Sequence, residues 1–194
     1  IPKLRTLLVL MILIAFPAIS WFYLNAGLKY RMERVNELSD LSSLDKSEIA
    51  NFDGQEFQFS QLSGKWSVIG ITNPKDDKIY QDIFNRLSDA FKDRKELNFL
   101  TISDQSLEPS FFQDWRSQWK QIDYEQVYFI NENEPSLSIL ESIVDDIGNS
   151  SGREFDHMFL VDSALVVKNV YDIRDSSQVD RLVEHIVLKL PYKK

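Results

Sequence analysis

Residues 52–77 read FDGQEFQFSQLSGKWSVIGITNPKDD, and the fold turns on them. The alternating QEFQF is a short strand and SGK a turn. Trp66 to Ile71 is then a nearly continuous apolar run, the pattern of a strand buried on both faces. The periodicity changes at once to that of a helix. In DKIYQDIFNRLSDAFKDR the residues Ile79, Ile83 and Leu87, with Phe84 and Phe91, recur at three, four and seven, and Asp76 or Asp77 stands at the N-cap. A buried strand followed by an amphipathic helix is one half of a strand-helix-strand unit.

Toward the C-terminus, LNFLTIS supplies a second strand. Pro109 then opens a helix with Phe111, Phe112, Trp115 and Trp119 as an aromatic stripe, read first as core packing. QVYFI is another strand, and Pro135 begins a helix with Leu140, Ile143, Val144 and Ile147 on one side and Gly148 as its C-cap. HMFLVD and LVVKNVYD, separated by Ser163 and Ala164, form an antiparallel hairpin. The last helix carries Val179, Leu182, Val183, Ile186 and Leu190 at helical spacing after a Ser or Asp cap, with His185 among charges and expected on the surface. The order β-α-β-α-β-α-β-β-α implies an α/β fold, a mixed central sheet flanked by helices.

Toward the N-terminus, TLLVLMILIAFPAISWFYL (residues 6–24) carries no charge over the roughly twenty residues that a helix needs to cross a bilayer. Pro17 is tolerable there, and Trp21 and Tyr23 suit the interface. A secretory signal cleaved after Ala18-Ile19-Ser20 is the rival reading. Lys3 and Arg5 precede the span while Lys29, Arg31 and Arg34 follow it, so charge does not decide topology. Tyr30, Val35, Leu38 and Leu41 then recur at helical spacing, as a stalk or a solvated linker. The division expected is 1–28 for the anchor, 29–48 for the stalk and 49–194 for the globular domain.

The 194 residues suffice for one ordinary domain and an appendage. A formal charge of -8 argues against a nucleic-acid partner, which needs clustered Lys and Arg. There is no cysteine, which removes disulfides, thiolate nucleophiles, thiolate metal sites and thiol-disulfide exchange together. Phosphate loops, nucleophile elbows and H-E-x-x-H pairs are absent from the sequence. Asn149-Ser150-Ser151 is an uninformative glycosylation triplet.

FDGQEFQFSQLSGKWSVIGIT and FLVDSALVVKNVYD resemble, respectively, the entry hairpin with first buried strand and the closing hairpin of the Sco/SenC family. These are thioredoxin-like proteins of cytochrome c oxidase assembly. The resemblance covers most of the chain after about residue 50. It implies a thioredoxin-like fold and a single anchor in the cytoplasmic membrane with the C-terminal domain on the periplasmic side. It also implies a loop T-x-C-P-x-x-C-P, whose two thiolates bind copper with one downstream His. Here that loop is Ile71-Thr72-Asn73-Pro74-Lys75-Asp76-Asp77, so Asn73 and Asp77 stand at the cysteine positions and Pro74 alone is kept. His157 is the counterpart of the family His, though only five residues before Asp162.

A helix N-terminus lowers a thiol pKa, but a carboxylate at Asp77 only caps the helix and neither attacks a disulfide nor carries electrons. Soft Cu(I) prefers sulfur, so copper is not expected, no cofactor is assigned, and no catalytic residue is named. The resemblance implies a non-catalytic accessory or assembly factor of a respiratory membrane complex, docking on its subunits. A second reading is a metal chaperone holding a harder ion with His157, Asp76, Asp77 and Asp156. A redox enzyme would need a cofactor to do the chemistry.

Overall fold

The computed structural model describes residues 2–44, 48–50, 56–73, 78–103, 108, 110, 113–114, 117, 126–130, 134–146 and 157–190. Its contacts divide the chain after Leu38 into two units. The first is helix α1 (Pro2–Asn36), 35 residues long with Pro17 inside it, or about 50 Å at 1.5 Å per residue. From Leu8 to Leu28 its large apolar side chains are exposed. It is long and apolar enough to cross a membrane. Beyond the apolar stretch, Arg34 stacks over the Tyr30 ring at 5.0 Å and donates to Glu37 at 2.8 Å.

The second unit is built on a six-stranded sheet in the order β1-β8-β7-β4-β5-β6. Its strands are β1 (Ser42–Ser43), β4 (Trp66–Thr72), β5 (Leu97–Ser103), β6 (Val127–Ile130), β7 (His157–Val161) and β8 (Val166–Asp172). β4, β5 and β6 are parallel, while β7 and β8 run against them. A separate hairpin joins β2 (Glu48–Ala50) to β3 (Glu56–Gln58). Among the described residues, the α-helices of this unit include α2 (Lys78–Ala90), α3 (Glu134–Asp146) and α4 (Ser176–Lys189).

Two layers of side chains cover the sheet. On one face Ile69, Ile71, Leu100, Ile102, Phe159 and Val161 pack with Leu140, Ile143 and Val144 of α3 and with Phe57, Phe59 and Leu62. On the other face lie α2 and α4. The Phe84 ring of α2 meets Phe99 edge-on, with centroids 5.6 Å apart. The Tyr171 hydroxyl of β8 shares a hydrogen bond of 2.7 Å with His185 Nδ1 of α4. Burying one such large side chain stabilises by roughly 1.5–3 kcal/mol.

Three expectations from sequence need correction. His185 is fully buried, because its ring fills the space over Tyr171 and finds a partner there. The buried stripe of α2 runs through Tyr80, Phe84 and Leu87, whereas Ile79 is 52% exposed and Ile83 half-buried. The cause is Gly70: a Cβ there would collide with the Tyr80 ring, so the missing side chain admits the tyrosine and sets the rotation of the helix. Residues 39–44 do not continue a helical stripe through Leu41. They lie along β8, with Ser39 N, Leu41 N and Leu44 N donating to Lys168 O, Val167 O and Leu165 O, and Leu44 is fully buried.

The expected hairpin forms, but its turn needs four residues. Asp162 Oδ1 accepts from Ala164 N at 2.8 Å and Val166 N at 3.0 Å, and Leu165 adopts φ 66°. Asp175 caps α4 as expected, its side chain accepting from Ser177 N. The aromatic stripe Phe111, Phe112, Trp115 and Trp119 lies outside the described residues, as do Ile147 and Gly148. Ser110, Gln113, Asp114 and Ser117 between them are helical and exposed.

Candidate functional site

In an open α/β sheet, ligands bind beyond the carboxyl ends of the strands where the strand order reverses. Here that point lies beside β4, whose neighbours are β5 on one side, entered after α2, and β7 on the other. Thr72 ends β4 in register with Ser103 of β5, and both are buried. Asn73 follows, half-buried. Pro74, Asp76 and Asp77 lie outside the described residues, and α2 begins at Lys78.

His157 arrives at the same end from the opposite direction. It opens β7 and pairs with Asp172 of β8. Since Met158 pairs with Gly70, antiparallel register carries His157 to the level of Ile71, one residue short of Thr72. The sheet therefore brings Asn73 and His157, far apart in sequence, to one end of β4. Their side chains do not form an open cluster. His157 is 2% exposed and by strand alternation shares the core face of Phe159 and Val161. Its Nδ1 has no hydrogen-bond partner among the described residues, and neither does Thr72 Oγ1.

Copper in the manner of the resembled family does not fit these residues. The donor set has no sulfur, and the one imidazole points into the core face. Among the described residues no group of three or more His, Asp or Glu could hold a metal ion. Asp76, Asp77 and Asp156, the carboxylates considered beside His157, lie outside the described residues. What remains at this end, among the described residues, is a buried polar pair on the α2 face, Thr72 and Ser103, with His157 on the opposite face of the sheet; these can accept or donate hydrogen bonds but supply no redox or thiol-transfer group.

Sequence reasoning missed a charge cluster at the other end of the hairpin. A β-bulge between Leu160 and Val161 leaves Lys168 outside the ladder pairing. Its Nζ donates to Asp40 and lies 3.1 Å from Asp162 Oδ2. The hydrogen bond to Asp40, with help from Asp162, holds the ammonium pKa above its ordinary value despite partial burial. Lys168 thus ties the segment beside β8 to the carboxylate that organises the turn. Only a lysine at the bulge of the short hairpin hinted at this.

No protein-family model matches the sequence, and no curated protein matches it. Solved structures do match. BsSco, a member of the Sco family of cytochrome c oxidase assembly proteins, is similar with TM-score 0.57 and 12% identity, over 80% of this chain and 99% of that one. A SCO1/SenC family lipoprotein from Bacillus anthracis str. Ames gives TM-score 0.55 and 15% identity, over 77% and 93%. The yeast mitochondrial 1-Cys peroxiredoxin gives 0.54 and 16%, over 78% and 77%. At these identities the likeness is one of architecture, and the globular part of this chain has a thioredoxin-like fold.

Proposed function

We propose that this chain is a membrane-anchored, non-catalytic relative of the Sco proteins that serves as an accessory or assembly factor of a respiratory membrane complex, cytochrome oxidase or an associated one. The observation that carries this reading is a thioredoxin-like domain without any cysteine, in a chain that also has a helix fit to cross a membrane. The position that would bear the first sulfur holds Asn73, an amide with neither nucleophilic nor redox chemistry. We read a fold kept after its chemistry is gone as one that acts by binding, and the long apolar helix supports binding at a membrane. BsSco and the Bacillus anthracis lipoprotein support the choice of partner by analogy of fold alone. By the same analogy the domain faces the periplasm.

The test is affinity purification of the tagged full chain from native membranes in mild detergent, with quantitative identification of oxidase subunits. Stoichiometric recovery that rises with the level of the complex supports the reading, and oxidase subunits no more abundant than in an untagged control overturn it. The second reading, a chaperone for a harder metal ion, draws on the position of His157 at the reactive end of the sheet. It requires His157 to leave the core face and join carboxylates such as Asp76, Asp77 and Asp156.

A further inference from the structure

At the end of the sheet opposite the Thr72 loop, three polar side chains form a row across the central strands. Ser67 of β4 pairs in register with Asn98 of β5. Gln126 comes next, because its carbonyl accepts from Phe99 N at 2.7 Å just ahead of the Phe99 and Val127 pair. Alternation along the strands puts all three on the face that carries Ile69, Leu100 and Tyr128. They are 0%, 1% and 4% exposed.

The row is polar where the rest of this face is apolar. Ser67 Oγ, Asn98 Nδ2, Asn98 Oδ1 and Gln126 Nε2 find no hydrogen-bond partner among the described residues. Buried polar atoms are nearly always bonded, to protein or to ordered water, because leaving them bare costs their full desolvation. Their inventory defines the complement. Two amides and a hydroxyl offer both donors and acceptors, and with no carboxylate among them they bring no charge to neutralise a metal ion. The occupant is therefore small, neutral and both donor and acceptor.

We propose that Ser67, Asn98 and Gln126 form an internal hydration site that takes one or two water molecules, with the Asn98 amide at its centre. A buried water typically makes about three hydrogen bonds, and several convergent polar atoms distinguish a wet site from a dry cavity. The site is separate from the Thr72 and His157 end of the sheet. It locks the lateral register of the three parallel strands through a shared solvent molecule.

The test uses the 15N-labelled full chain in detergent micelles, with water-selective NOE and ROE transfer to the side-chain amide protons of Asn98 and Gln126. Cross-peaks with the sign of long-lived bound water are expected at both amides, and Asn98→Leu removes the one at Gln126. Absence of such cross-peaks in the unmodified chain, or a Gln126 cross-peak unchanged in Asn98→Leu, overturns the proposal. Should Asn98→Leu fail to fold, Ser67→Ala serves. The Asn98 cross-peak falls at least about twofold if the water is shared, and an unchanged intensity contradicts the site.

Discussion

The Tyr80 ring occupies the space that a Cβ on Gly70 would need, and through this contact α2 is keyed to the central strand. The same tyrosine shares a buried hydrogen bond of 2.9 Å with Thr101 on the neighbouring strand. One side chain thus fixes the helix over two strands at the level where β4 approaches the candidate site.

Gly70→Ala is expected to destabilise the domain by about 1–3 kcal/mol, because the added methyl must displace a ring held on both sides. Tyr80→Phe keeps the packing and loses only the hydroxyl bond, at a cost of about 1 kcal/mol. Chemical denaturation of the full chain in micelles, followed by tryptophan fluorescence, checks both. A neutral Gly70→Ala would show that α2 is free to shift.

Tyr171→Phe should cost about 1–3 kcal/mol, since it takes the hydroxyl from His185 Nδ1 inside a closed contact. Thermal unfolding measures the loss. An effect below about 0.5 kcal/mol, the range of ordinary surface substitutions, would mean that His185 is not held by this bond.

Much of this architecture was legible in the sequence, and the failures have definite causes. WSVIGIT and LNFLTIS read as buried strands because apolar residues fall on both faces and no charge interrupts them, and both form over their full length. His185 was misread because a histidine among charges looks solvated, while its partner Tyr171 comes from β8. Ile79 was misread because helical spacing alone cannot weigh an isoleucine against a tyrosine that has a glycine to pack on. At the candidate site, the loss of sulfur was plain from Asn73. His157 stands only five residues before Asp162, and as the first residue of β7 it turns inward to the core face.

Asp175 makes the stability of α4 depend on acid. Its side chain accepts from Ser177 N, and these bonds lower its pKa in the folded chain. A lowered folded value gives stability that is complete above the unfolded value of about 3.9 and fades as pH falls through the folded one. Asp175→Ala should therefore lower the Tm by a few degrees at pH 7, with the difference shrinking toward pH 3. A constant difference between pH 7 and pH 3 would contradict the cap.

The bond from Lys168 to Asp40 should hold residues 39–44 against β8. Lys168→Met is expected to speed amide hydrogen exchange at Ser39, Leu41 and Leu44 about tenfold, the factor set by losing about 1.4 kcal/mol. Because the folded pKa of Lys168 is raised, this support is complete below the ordinary value of about 10.4 and is lost as pH rises through the higher folded value. Unchanged exchange in the variant would assign the segment's attachment to backbone pairing alone.

The most direct test of a thioredoxin-like fold without the resembled family's chemistry is calorimetric titration of the chelator-stripped full chain in micelles with Cu(I), Cu(II) and Zn(II). His157→Ala and Asp77→Ala serve as controls. No binding tighter than roughly micromolar is predicted, about -8 kcal/mol on the standard scale. Tighter binding that both substitutions abolish would contradict the account and establish a rebuilt metal centre at the end of β4.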